Sequence, residues 1–151
     1  MNQLRTRTTT ASGATLAMVT ALTVAVSTPA TVHATPPIGV SAVTLSKQTV
    51  NGKDYIVSEI TIAPNGSTGW HTHQGEIYGI VKAGELTHYE SDCRQDGVYG
   101  VGAPITDPTG ADHVHIARNL GTTPVVLEVT YVDPAGAPTS DSAPNPGCDF
   151  A

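Results

Sequence analysis

Charged and aromatic residues are both scarce in this 151-residue chain, at 13% and 5% of its residues. Only 7 lysines and arginines stand against 13 aspartates and glutamates, so the chain lacks the basic stripe that a nucleic-acid-binding surface needs. Glycine and proline are frequent, with 15 and 11 residues, which argues against long helical bundles and coiled coils. The hydrophobic share of 39% argues against disorder throughout the chain.

A long hydrophobic run is also missing. The main apolar stretch, residues 14–26, has 13 residues, whereas a membrane-spanning helix needs about 20. Arg5 and Arg7 precede this stretch, and Val32-His33-Ala34 follows it as an A-x-A-like cleavage site. These are the parts of a secretory signal peptide. The pattern predicts that residues 1–34 are removed, that the protein is secreted to the extracellular side, and that it has no stable membrane anchor.

Export determines what we expect of the cysteines and of the charge. Loss of Arg5 and Arg7 moves the net charge from −6 to −8, because two positive charges leave with the signal peptide. Cys93 and Cys148 are the only cysteines, and they would lie in an oxidising compartment. One pairing within the chain is available to them, so we expect a Cys93–Cys148 disulfide. Two free thiols or an intermolecular bridge are the alternatives.

The exported part of the chain reads as a series of short strands. Runs rich in Val, Ile and Thr recur between turn signals, and Asn51-Gly52 is a strong hairpin signal. Regularly spaced short strands predict an all-β sandwich or barrel, which we place in residues 35–134. From Asp133 onward, four prolines argue against regular structure. Residues 135–151 are therefore predicted to be a Pro-rich tail that only the Cys148 disulfide would hold.

The histidines carry the clearest chemical signal. His71 and His73 are two residues apart, and so are His113 and His115. On a strand, residues at that spacing point to the same face, so each pair can offer two imidazoles to one metal ion. Imidazole suits Mn, Fe, Cu, Ni and Zn without selecting among them. If the strands lie side by side in a barrel, the two pairs meet.

Two segments around these histidines have a recognisable form. The first runs from Gly66 to Gly84 and reads GSTGWHTHQGEIYGIVKAG. The second joins Pro108-Thr109-Gly110 to His115-Ile116-Ala117-Arg118-Asn119. Together they resemble the paired motifs of the cupins, a family of jelly-roll β-barrels. The resemblance implies a single cupin domain whose metal ligands are His71, His73 and His115. Cupins commonly pair through sheet edges, so it also implies a homodimer.

The glutamate of the first cupin motif is displaced in this chain. Ten residues separate His73 from Gly84, which places the glutamate position on Ile77 and leaves Glu76 one residue early. A one-residue slip turns a strand side chain to the opposite face of the sheet. Glu76 is therefore a metal ligand only if Gly75 forms a bulge or loop that re-aims it.

The second motif allows two readings. The spacing from Gly110 selects His113, whereas the spacing to Asn119 selects His115. We take His115 as the ligand, because the run that ends at Asn119 enters the next turn as the family's does. His113 remains an alternative ligand or a group that supports the site.

For four other residues the sequence predicts mainly structural roles. His88 shares a strand face with Leu86 and Glu90, so it could approach the site if that face is inward, but we expect it to face solvent. Trp70 alternates away from His71, so we expect it to pack on the outer side of the sheet; the alternative is a surface on which a substrate stacks. Tyr78 is expected in the core. Asn119 is expected to bond backbone groups in a turn.

These features leave three hypotheses open: an enzyme, a binding module, and a barrel with a vestigial site that serves as a structural or interaction domain. Three neutral imidazoles leave positions free on a metal ion, as metal catalysis requires. The leading hypothesis is a secreted, metal-dependent cupin enzyme, of the oxygenase, isomerase or decarboxylase type, that acts on a small molecule in the barrel. The alternative is a non-catalytic module that binds a metal or a small ligand. Neither the metal nor the reaction follows from the fold resemblance.

Overall fold

The computed structural model describes residues 33–150, so residues 1–32 of the predicted signal peptide lie outside the described residues. The described part forms ten strands and no helix. It accordingly contains no helix of the length and apolarity that a membrane crossing requires. The strands are β1 (Ile38–Val50), β2 (Lys53–Ser67), β3 (His71–Thr72), β4 (Glu76–Ala83), β5 (Leu86–Glu90), β6 (Gln95–Tyr99), β7 (Pro104–Ile105), β8 (His115–Arg118), β9 (Val125–Pro134) and β10 (Asp141–Ser142).

The strands form one ten-stranded antiparallel sheet that curls into a nearly closed barrel. Strands β1, β2, β9, β4 and β7 are hydrogen-bonded in that order along one side. Strands β6, β5, β8, β3 and β10 follow one another along the other side. The two sides meet where Ser67 at the end of β2 pairs with Arg118 of β8. This arrangement confirms the predicted all-β jelly-roll barrel.

The predicted hairpin at Asn51-Gly52 is confirmed. Both residues have positive φ, at 50° and 77°, as a two-residue turn between twisted strands requires. The turn joins β1 to β2, which pair over nearly their whole length. Among the described strands β1 pairs only with β2, and its outer edge is free. The homodimer that the family resemblance implies stays a prediction.

The main core lies inside the barrel. Alternate residues of β9 are buried, and these face apolar residues of β2, β4 and β5. The buried members are Ile56, Ile62, Ile77, Val81, Leu86, Ile105, Ala117, Val125, Leu127, Val129 and Tyr131. Tyr78 is not among them, because it alternates with Ile77 on β4 and is 53% exposed. The expectation that Tyr78 packs in the core was therefore wrong.

A second core cluster lies under the C-terminal segment. Trp70 is fully buried with Ile116, Ala143 and Cys148, and its ring stacks on Phe150 at a centroid distance of 6.1 Å. Cys148 forms the predicted disulfide with Cys93. Trp70 is thus separate from the main core, but the tail covers it completely.

The C-terminal segment has more regular structure than its prolines predict. Asp141 and Ser142 form β10, and Ser142 is the register partner of His71. The backbone N–H of Thr35 donates to the carbonyl of Ala143 at 3.0 Å, so both ends of the described chain meet beside β3. Proline excludes ladder bonding only at its own nitrogen. The non-proline residues between the prolines were still able to pair.

Candidate metal centre

Three of the predicted histidines come together inside the barrel. His71 on β3 is the direct register partner of His115 on β8, and His73 directly follows β3. The ring centroids lie 4.3 Å apart for His71 and His115, 4.8 Å for His71 and His73, and 5.0 Å for His73 and His115. One ring nitrogen from each lies within 4.8 Å of the other two. The i, i+2 spacing and the pairing of β3 with β8 together produce this arrangement.

A backbone carbonyl orients each of the three rings. The Nδ1 atoms of His71, His73 and His115 lie 2.9, 2.7 and 3.2 Å from the carbonyl oxygens of Gly69, Thr139 and His113, in that order. A carbonyl can only accept, so each Nδ1 carries the proton and donates it. Each Nε2 therefore keeps its lone pair, which is the atom that a metal ion takes.

The surroundings keep these imidazoles neutral. Burial and the neighbouring His71 together lower the pKa of His73 to about 4. Burial also lowers the pKa values of His71 and His115, and for His115 the neighbouring His71, His73 and His88 act in the same direction. The Nε2 of His115 is buried and has no hydrogen-bond partner. Three neutral, oriented and desolvated nitrogen donors fit a divalent transition-metal ion.

Glu76 lies outside this cluster. The chain bends at Gln74 and Gly75, but β4 begins at Glu76 with its side chain exposed. Its Oε2 accepts a hydrogen bond from the Tyr78 hydroxyl at 3.0 Å, on the outer face of the strand. The bend leaves Glu76 on the outer face of β4, away from the three histidines.

Gly75 itself is required by a close backbone contact. A Cβ atom at this position would lie 2.3 Å from the carbonyl oxygen of Val132 on β9. The glycine thus lets the chain between His73 and β4 pass against β9. Its role is steric, and it forms no bulge toward the histidines.

His113 supports the cluster through its backbone. It lies before β8, its carbonyl accepts from Nδ1 of His115, and the two rings are 5.0 Å apart. Its own Nδ1 is 3.5 Å from a carboxylate oxygen of Glu90. Of the two readings of the second motif, the geometry favours His115 as the residue that converges with His71 and His73.

Two further residues, His88 and Asp107, lie beside His115, and the sequence did not predict that they come together. His88 is 3% exposed, so the expectation that it faces solvent was wrong. Its Nδ1 lies 2.7 Å from Oδ1 of Asp96, and its Nε2 lies 3.5 Å from Oδ1 of Asp107. Oδ2 of Asp107 is 3.7 Å from Nε2 of His115. Alternation with buried Leu86 on β5 could have placed His88 inside, but no local pattern marks Asp107.

The histidines line one end of a cavity of about 200 Å³ within the barrel. Most of the remaining wall is aliphatic and comes from residues that include Val40, Ile60, Ile77, Leu86, Leu127 and Val129. Among the described residues that line the cavity, Asp107 is the only carboxylate and none is a lysine or arginine. The phenol of Tyr131 also faces the cavity, and burial raises its pKa to about 12, so it stays protonated. The cavity therefore suits a small, largely apolar molecule.

Sequence comparison finds no family model and no curated protein that matches this chain. Comparison of folds does find similar structures. The polyketide cyclase RemF from Streptomyces resistomycificus superposes with a TM-score of 0.58 at 21% identity, over 76% of this chain and 80% of that one. A cupin-2 domain protein from Rhodospirillum rubrum gives 0.56 at 12% identity, over 70% and 66% of the two chains. An oxalate oxidase in complex with glycolate gives 0.51 at 21% identity, over 64% and 52%. At these identities the likeness establishes the fold, and residues 33–150 have the cupin fold.

Proposed function

We propose that this protein binds one divalent transition-metal ion through Nε2 of His71, His73 and His115. The observation that carries the proposal is the convergence of two buried imidazoles and one half-buried imidazole, each with its Nδ1 proton committed to a backbone carbonyl. Such outer partners fix the tautomer and the direction of the metal-binding lone pair. A histidine that only packed in the core would not need an Nε2 without a hydrogen-bond partner next to two other imidazoles.

We further propose that the bound ion faces a small, largely apolar molecule in the cavity. When bound, the ion would supply Lewis-acid or redox chemistry. The chain's own residues orient the ligand nitrogens, and the aliphatic wall excludes water and receives the molecule. The leading hypothesis stays an enzyme of the oxygenase, isomerase or decarboxylase type. The polyketide cyclase and the oxalate oxidase are enzymes built on this fold, so the barrel is compatible with catalysis.

The metal site is tested by elemental analysis of untagged protein purified without chelators. We expect near-stoichiometric Mn, Fe, Cu, Ni or Zn in the wild type and none in the H71A/H73A double variant. A matched control is E76Q, which changes an exposed side chain and should keep its metal. Near-stoichiometric metal in the double variant would exclude the three-histidine site.

A thermal melt gives an independent measurement of the same site. An ion present at 100 times its Kd should stabilise the folded protein by about 2.7 kcal/mol, provided that the unfolded chain does not bind it. We expect the melting temperature of metal-free wild type to rise on addition of a suitable ion, and that of the double variant to stay constant. Equal shifts in both proteins would place the binding elsewhere.

The alternative is a non-catalytic module that holds a metal or a small ligand. The absence of Glu76 from the cluster favours this alternative, because the site then differs from the family pattern in its carboxylate. Loaded protein that consumes no oxygen and turns over no small molecule in an isomerase or decarboxylase screen would support it. Measurable turnover that is lost in the double variant would support the enzyme.

We propose that the protein is exported and cleaved after Ala34. The Cys93–Cys148 disulfide is consistent with an oxidising compartment outside the cytosol. Intact mass measurement of protein from the culture medium should give a chain that begins at Thr35. Protein that stays in the cytosol with residues 1–34 attached would contradict the proposal.

A further inference from the structure

The cavity contains one carboxylate, and it belongs to Asp107, two residues beyond β7. Its side chain is 13% exposed. Its two oxygens face the Nε2 atoms of two buried histidines, at 3.5 Å from His88 and 3.7 Å from His115. Both nitrogens are buried and neither has a hydrogen-bond partner.

The contact between His115 and Asp107 is electrostatically unfavourable unless a cation lies between the two groups. Nδ1 of His115 donates to the carbonyl of His113. A neutral imidazole has a single N–H, so Nε2 of His115 is an acceptor. Its lone pair faces the Asp107 carboxylate in a desolvated place, where unpaired polar groups are costly. A metal ion between Nε2 of His115 and Oδ2 of Asp107 would satisfy both groups at once.

Charge balance supports the same conclusion. Three imidazoles are neutral ligands, so an ion bound by them alone would keep its full charge beside an aliphatic wall. A buried charge needs a counter-charge nearby. Glu76, the carboxylate that the family pattern would supply, is exposed on the outer face of β4. Asp107 is the only carboxylate among the described residues that line the cavity.

The distance between Asp107 and His115 is close to a ligation distance. Ligand atoms about 2.1 Å from one ion lie roughly 3.0 Å apart at a right angle and about 3.4 Å apart at a tetrahedral angle. The 3.7 Å between Oδ2 of Asp107 and Nε2 of His115 exceeds this range by a few tenths of an ångström. Ligand atoms of Asp107, His88 and His115 lie within 4.8 Å of one another, so the Asp107 side chain must turn toward His71 and His73 to join the three-histidine set.

We infer that Asp107 is the carboxylate ligand of this metal centre and takes the role that Glu76 cannot fill. The inference rests on the proposed three-histidine site and adds its fourth ligand. It makes the set three imidazoles and one carboxylate, with the carboxylate contributed from the segment after β7 instead of from β4.

The test is metal affinity, measured by competition with a chelator, in wild type, D107N and E76Q. D107N and E76Q each replace one carboxylate by an amide of nearly the same shape. The two variants therefore make the same chemical change, one inside the cavity and one on the outer face of β4. We expect D107N to weaken binding at least about 10-fold, the lower end of what loss of even an outer partner costs. E76Q should bind as the wild type does. The visible absorption spectrum of the Co²⁺-loaded protein should change in D107N alone, because the spectrum reports the ligand set.

Three results would bear on the inference in different ways. Equal affinity and equal Co²⁺ spectra in wild type and D107N would overturn it and leave the three-histidine site standing. Weakened binding in an H88Q variant but not in D107N would overturn it as well, because the fourth ligand would then be His88. Wild type that binds no metal would refute the proposed function itself. Melting of the metal-free variants checks that D107N is folded.

Discussion

The low pKa of His73 predicts how the metal-free protein responds to acid. The group titrates near pH 6.5 in the unfolded chain, and burial lowers its pKa to about 4 in the folded chain. As the pH falls below 6.5, the unfolded chain therefore takes up this proton first. Acid then favours unfolding, and the loss of stability continues until the pH reaches the folded pKa.

The magnitude follows from these two pKa values. One pKa unit corresponds to about 1.36 kcal/mol, so His73 alone should remove about 2 kcal/mol of stability between pH 7 and pH 5. His71 and His115 have lowered pKa values too and act in the same direction. Asp133 acts oppositely, because burial raises its pKa and the folded chain then holds its proton more tightly. A comparison with H73Q removes the contributions that both proteins share, and the part of the His115 shift that His73 causes belongs to the difference.

The assay is urea unfolding of wild type and H73Q at several pH values, with a chelator present throughout. The wild type should lose about 2 kcal/mol more than H73Q between pH 7 and pH 5. A saturating metal ion should steepen the wild-type dependence on pH, because protons then compete with the ion for Nε2. Parallel curves for the two metal-free proteins would refute the reasoning. They would mean that water reaches His73 and that its imidazole is not desolvated.

Three further changes test how the barrel is built around the site. Asn119→Ala leaves two backbone carbonyls without their side-chain donor and should cost at least about 2 kcal/mol in urea unfolding; a loss near zero would contradict this. Gly75→Ala places a Cβ atom 2.3 Å from the Val132 carbonyl oxygen, so its melting temperature should fall sharply, and an unchanged one would show that β9 can yield. The C93S/C148S double variant opens a loop spanning 55 residues and should lose about 4 kcal/mol in the chain-entropy model. Equal stability before and after reduction of the wild type would contradict that value.

Local patterns predicted the parts of this molecule that depend on neighbours in the chain. The Asn51-Gly52 turn needs positive φ at both residues, and both have it. The i, i+2 spacing placed His71 and His73 on one side of the chain. The Cys93–Cys148 pairing followed from there being two cysteines only, and it is confirmed.

The parts that sequence reasoning missed depend on contacts between distant segments. Asp107 approaches His115 because it follows β7, which pairs with β4, and no short motif records that pairing. The prolines of the tail hid β10, because the tail is ordered by pairing with β3 and by burial of Trp70. Glu76 was left undecided because a bend at Gly75 is not enough to tell which face the next side chain takes.

The contact between the His73 ring and the Thr139 carbonyl also fixes the order in which the site can be assembled. A growing chain has made all three histidines by residue 115, but it must add 24 more residues to reach the carbonyl that orients His73. That carbonyl belongs to the segment that β10 and Cys148 hold against the barrel. A chain that ends before Thr139 would keep every proposed imidazole ligand and still lack a fixed tautomer at one of them. If the proposed site binds metal, its full set of oriented ligands is therefore a property of the finished chain and follows the docking of its last segment.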